Sequence, residues 1–266
     1  MNTFLYKIYT FIKEHLFLVA FLVLFVFLVS GYIAGFRPGP NLTFVRVGTL
    51  VVEGLPRGAT VYVDGARRGA SMGVDMRLPL VPGNHNVIID TGVEFHPWND
   101  LVSIQARTDT ISKPLLVSKE TKMKTLGDSD FASAKTLLRN YHLPTEASPL
   151  LLAEGCAEVR VSENRIIAVG TTTDGCTPPT YLCTGDACIP TILYSAISPI
   201  RSILPYPGRE DVLVISYGTM VAVLELNPLE PQYAAPVYTG VSPIVLPWTA
   251  DTLVVIDNGH AYQISL

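Results

Sequence analysis

The sequence predicts a mainly β protein carried behind one N-terminal transmembrane helix. Three observations lead there. Charged residues are only 16% of the 266-residue chain, while glycine and proline reach twenty each, a composition of strands and turns rather than long helices. Short runs alternate apolar and polar at period two between Gly, Pro, Asn and Asp clusters. One stretch, Leu16 to Phe36, has no charged residue at all. Within this class we expect a small β-sandwich, one short linking helix, and C-terminal antiparallel repeats that are blade-like without closing into a propeller.

The N-terminal segment comes first. LFLVAFLVLFVFLVSGYIAGF is 21 residues, fifteen of them Leu, Ile, Val or Phe, and as a helix it covers the roughly 30 Å hydrocarbon core of a bilayer. Residues 16–36 are therefore expected to contact lipid, with residues 1–15 as a cytoplasmic tail. Lys7 and Lys13 precede the span, whereas Arg37 and Arg46 follow it, so the positive-inside bias is slight. A short leading tail and a long remainder favour the same single-pass orientation in the plasma membrane, with the C-terminal part extracytoplasmic. A cleaved signal peptide is the competing reading, with Lys7 and Lys13 as its basic region and Val29-Ser30-Gly31 as a small-residue cleavage site.

From Val47 the pattern becomes β. Thr49 to Glu53 alternates weakly, and Pro56 and Gly58 break it. Ala59, Val61 and Val63 then recur at period two. Asp64-Gly65 turns, Met76, Leu78 and Leu80 alternate, Pro82-Gly83 turns again, and His85, Val87 and Ile89 form the next strand. A last strand is expected over Asp100 to Ile104, after a His96-Pro97-Trp98 corner whose indole can close a small core.

These residues resemble a PEGA domain, a small surface β module named for its Pro-Glu-Gly-Ala turn. The resemblance rests on Pro56-Arg57-Gly58-Ala59, with arginine at the signature glutamate, on Tyr62 before Asp64-Gly65, on Gly83 and His85, and on Pro97-Trp98. It covers roughly Val47 to Ile104, within a domain expected over residues 47–107, and it implies a surface or interaction role rather than catalysis. The anchor followed by this unit also resembles the start of single-pass bacterial envelope proteins that continue into propeller-like repeats.

Residues 108–147 read as a linker. Asp128-Ser129 can cap a helix whose Phe131, Ala134, Leu138 and Tyr141 share one stripe, stopped by Pro144; it is expected to dock on a neighbouring sheet. Residues 148–266 carry a repeat. Ser148-Pro149-Leu150, Ser198-Pro199-Ile200 and Ser242-Pro243-Ile244 share a phrase at spacings of 50 and 44 residues. After each comes a strand ending in glycine: Asn164 to Gly170, Val212 to Gly218 and Leu253 to Gly259. About two and a half such units are too few for a ring, since propellers close with about four to eight blades.

Candidate chemistry is sparse. Cys156, Cys176, Cys183 and Cys188 are separated by 20, 7 and 5 residues with no histidine nearby, so they read as disulfides of an oxidising compartment rather than a metal site; 156–176 with 183–188 is the favoured pairing among three. His85, His96, His142 and His260 sit at strands, corners and turns, and Asp174, Asp186, Asp211, Asp251 and Asp257 at turns they can cap. Asn41-Leu42-Thr43 fits a glycosylation sequon. No nucleophile elbow, P-loop or zinc-protease motif is present, so no catalytic, cofactor or metal residue is assigned. At a net charge of −4 with no dense basic run, nucleic acid is excluded as a partner. The expected partners are the bilayer, a protein or cell-envelope polymer, and other copies of the chain. The expected function is a non-catalytic membrane-anchored envelope scaffold or binding protein. The alternative is an extracytoplasmic hydrolase or ligand sensor using the cysteine-bearing loop 171–190.

Overall fold

A computed structural model of the chain describes residues 15–38, 43–152, 155–172, 181–184, 187–227 and 232–266. It is mainly β, with an N-terminal apolar helix and several separate sheets, none closed. Helix α1 (Leu16–Ile33) is followed by β1 (Phe36–Pro38), β2 (Phe44–Arg46), β3 (Gly48–Val52), β4 (Thr60–Val63), β5 (Ala66–Ala70), β6 (Met76–Leu80), β7 (Gly83–Asp90), β8 (Trp98–Ile104), β9 (Asp109–Ser112) and β10 (Lys122–Thr125). Helix α2 (Asp128–Asn140) leads into β11 (Leu150–Leu152), β12 (Ala157–Ser162), β13 (Arg165–Gly170), β14 (Cys183–Thr184), β15 (Ala187–Cys188) and β16 (Thr191–Ser195). The chain ends with β17 (Ile200–Tyr206), β18 (Arg209–Tyr217), β19 (Met220–Glu225), β20 (Ala234–Thr239), β21 (Ile244–Pro247), β22 (Thr252–Asp257) and β23 (His260–Ser265).

The chain divides into two compact units, one of Met1–Leu55, Gly73–His85 and Val102–Lys113, the other of Pro56–Met72, Asn86–Leu101 and Pro114–Leu266. In the first unit, α1 has no residue buried against the protein. It is shorter than the apolar run. Ala34 and Gly35 donate back to Ser30 and Tyr32, Gly35 takes φ +79°, and Phe36 already pairs with Arg46 across the β1–β2 hairpin. A residue with a Cβ would be strained at that left-handed turn. The same unit holds a sheet of order β6-β3-β9. Strand β9 lies beyond the last strand expected from the sequence, Asp100–Ile104, and runs parallel to β3, pairing Leu50 with Thr110.

The second unit contains most of the sheet β5-β4-β7-β8 and three more four-stranded sheets. In the first of these four, Ala59, Val61, Val63, Val87 and Ile89 are all buried, as period two requires. Strand β5, Ala-Arg-Arg-Gly-Ala, is not among the strands the pattern predicts; it is an edge strand whose exposed arginines leave no alternation to read. Strand β8 begins at Trp98, two residues before the expected start, so the indole lies in the strand and not at a corner.

The three larger sheets have the orders β11-β12-β13-β16, β17-β18-β19-β20 and β10-β23-β22-β21. Each Ser-Pro phrase ends on the first residue of an edge strand, one per sheet: Leu150, Ile200 and Ile244. Two sequence readings need correction. The Asn164–Gly170 strand is the third of its sheet, whereas its supposed equivalents β18 and β22 are the second, because β12 intervenes after the phrase. A strand ending in glycine is too generic a signal to fix that position. The count of two and a half units is also low. Strand β10, drawn from the linker, pairs with β23 and completes the last sheet, Met123 facing Ile264. Its four residues, Lys-Met-Lys-Thr, are all exposed, so they carry no inward stripe.

The sheets stack. Val159, Ile166, Ala168 and Leu193 of the first share one core with Ile203, Leu213, Ile215 and Leu224 of the second. On the second sheet's other face, Ser202 Oγ lies 2.7 Å from Ser216 Oγ and accepts the Val245 N–H of β21 at 3.0 Å, and the Tyr238 and Tyr262 rings meet at 5.9 Å. Burial on both faces explains why Val212 to Ile215 and Val221 to Leu224 read as unbroken apolar runs. Helix α2 covers the far face of the third sheet, where Ala134 joins Leu246, Val254, Ile256 and Ala261, with Phe131, Leu138 and Tyr141 packed alongside. The helical stripe is thus as expected, but its ends are not. Gly127 occupies the N-cap without a side-chain bond, and the helix stops at Asn140, ahead of Pro144.

Candidate functional site

The residues singled out from the sequence between Pro56 and Trp98 fall in turns and strands. Gly58 takes φ +91° and donates to Ser71 O at 2.8 Å, Ser71 donates to Ala59 O at 2.7 Å, and Ala59 is buried. Pro56 accepts the Ala59 N–H, while Arg57 points to solvent. Tyr62 pairs across to Arg67 and Ile88. Asp64 and Gly65, at φ 52° and 75°, make the tight β4–β5 turn, and the Asp64 carboxylate accepts the Asn86 N–H. In the other unit, Gly83 takes φ +138° and the buried His85 ring sits 2.8 Å from Val81 O. Pro97 is exposed and Trp98 is buried. These placements are structural, and they bring no set of reactive groups together.

Trp98 leads to a cluster that sequence reading missed. Its Nε1–H donates to Glu225 Oε1 at 2.9 Å, and two residues on in each strand Asn227 Nδ2 donates to Asp100 Oδ1 at 2.9 Å. These two bonds tie β8 to the end of β19. Glu225 is 8% exposed. Burial pushes its pKa up to about 7, further raised by Asp100 and Asp211, against the Trp98 bond and the Arg209 guanidinium 3.8 Å away. Arg209 grips Asp211 through Nε and Nη2, each at 2.7 Å. Asp100 is also raised, by burial first, with the Leu101 and Asn227 bonds opposing. A signal is present in the chain itself: Glu225 is the lone charge in the apolar run Met220–Leu226.

Arg209 also borders a cleft of about 710 Å³ where the three larger sheets meet at one end. Leu151 and Leu152 come from the first sheet, Leu204 to Glu210 from the β17–β18 turn, and Pro247 with Leu253 from the third. Its walls are mainly proline and aliphatic side chains, with Arg209 and Glu210 as charged groups.

The cysteines follow the expected pairing where they are described. Cys183 and Cys188 are bonded across the β14–β15 hairpin with Cα atoms 4.1 Å apart. Cys156 is disulfide-bonded too, and Cys176 lies outside the described residues, as do Asp174, Asp186, Asn41 and Leu42. Leu182, next to the bridge, is buried in the core shared by the first two sheets. Asp257 lies at the end of β22 rather than in a turn, yet it caps: its carboxylate accepts Tyr238 Oη–H, Val241 N–H and Ser242 N–H at 2.7–3.0 Å. Burial raises its pKa, but these donors and Arg201 outweigh that and hold it below the ordinary carboxylate value.

No protein-family model matches the chain. No curated protein matches it either.

Proposed function

We propose that the protein is a non-catalytic, membrane-anchored scaffold or binding protein of the cell envelope, presenting a PEGA-like module and blade-like β repeats outside the plasma membrane. The observation that carries this reading is α1: an apolar helix of 18 residues, none of them buried against the protein. A helix so apolar left bare in water would cost far more than one in lipid. The residues that follow it suit a membrane–water boundary. Arg37 lies 3.5 Å over the Tyr32 ring and donates to Tyr32 O and Phe36 O, and Arg46 stacks on Phe36 at 4.9 Å. Aromatic rings paired with arginine are the side chains that settle at headgroup level. The Cys183–Cys188 bridge supports an oxidising, extracytoplasmic setting for the repeats.

A cleaved signal peptide passes the same length and apolarity test as an anchor, and experiment separates the two. Full-length protein expressed in cells should stay in the membrane pellet through alkaline carbonate, keep its intact N-terminal mass, and be digested by protease added to sealed cells stripped of outer layers. Release by carbonate with a mass beginning near residue 31 would replace the anchor with a signal peptide. Protection until permeabilisation would reverse the orientation.

A further inference from the structure

Helix α2 caps one end of the stack of three large sheets, whereas at the other end none of the described residues forms an element over the first sheet's outer face. Helix α2 covers the outward face of the third sheet. On the first sheet, the face turned away from the shared core carries Leu151, Glu158, Arg160, Ile167, Val169 and Ile192, with Leu151 59% and Ile192 49% exposed. An apolar sheet face this open calls for a cover. Its chemistry limits what that cover is. Helix α2 occupies the third sheet's outer face, so a second copy cannot extend the stack head to tail through that face.

The register makes that face self-complementary. Val159 pairs with Ala168, flanked by Glu158 opposite Val169 and Arg160 opposite Ile167. A two-fold axis lying along the Val159–Ala168 row reverses each strand about its midpoint. Glu158 then meets Arg160 of the second copy, twice, and Ile167 meets Val169, twice. We propose that the first sheet's outer face is a homodimer interface, in which two copies pack sheet on sheet about this axis. The pairing closes on itself, so it yields a dimer and not a filament. Arg160 holds Glu146 at 2.8 Å in the single chain, and Glu146 is 84% exposed, so the guanidinium can keep that partner at the rim while meeting Glu158 across the axis. The face is present whether or not α1 remains attached, so the proposal does not rest on anchoring.

The test is a charge swap, read as the mass of the full chain in detergent micelles. The native protein should be dimeric, and E158R, which confronts Arg160 of the second copy with a like charge, should weaken the dimer by about tenfold or more. Adding R160E in an E146Q background should restore it, while E146Q alone should leave it unchanged. I167D, which sets a charge opposite Val169 of the second copy, should also give monomer. A monomeric native chain, a dimer indifferent to both E158R and I167D, or a swap that fails to restore association would each overturn the proposal.

Discussion

Single residues carry much of the cohesion of the second unit. Glu225 is buried with its carboxyl as the acceptor for Trp98, and its pKa lies near 7 in the fold against 4.5 for the free group. Below the lower value the carboxyl is protonated in both states and costs nothing. Between the two, the unfolded chain releases a proton that the folded chain keeps, so stability falls as pH rises through that window and levels off above it. The loss is on the order of 3 kcal/mol. Glu225→Gln keeps an oxygen for the indole and removes the ionisation. Denaturant midpoints at pH 5 and pH 8 should therefore differ less in the variant than in the native protein, and the variant should be the more stable at pH 8. Asp257 works in the opposite sense: its pKa is depressed, so its contribution is lost on acidification below the carboxylate range. Asp257→Ala strips three donors of their acceptor and should cost about 2–4 kcal/mol in chemical unfolding at pH 7. A Cβ on Gly240 would collide with the Asp257 carboxylate, so Gly240→Ala should destabilise through the same loop.

At the level of elements, the clearest dependence is that of α2 on its sheet. Ala134 is fully buried between helix and sheet, leaving no room for a larger group, and Tyr141 Oη both donates to Ile203 O and accepts the Ile203 N–H, at 3.1 and 2.8 Å. Tyr141→Phe leaves two buried backbone groups of β17 unpaired and should cost about 1–3 kcal/mol. Hydrogen exchange should show faster exchange at Ile203 while the Cys183–Cys188 hairpin is unaffected. The helix stripe of Phe131, Ala134, Leu138 and Tyr141 is legible in the sequence because an amphipathic period survives any packing partner. The cap is not, since Gly127 offers no side chain to signal it. Edge strands are the other blind spot. β5 and β10 are exposed, short and basic, which protects an edge from stray pairing and erases the alternation by which a strand is recognised.

For the whole molecule, the order of residues along the chain is enough to specify a β protein behind an apolar segment, the inward faces of β4, β6 and β7, the starts of β11, β17 and β21, and the short-range 183–188 bridge. All of these follow from periodicity, turn chemistry or chain distance, which are local. Packing in three dimensions was needed to place β9 parallel to β3, to return β10 to the third large sheet, to close one end of the stack with α2, and to bring Trp98 to a carboxylate 127 residues away. Such pairings depend on which faces remain uncovered once the sheets have stacked, a property no single stretch of chain contains.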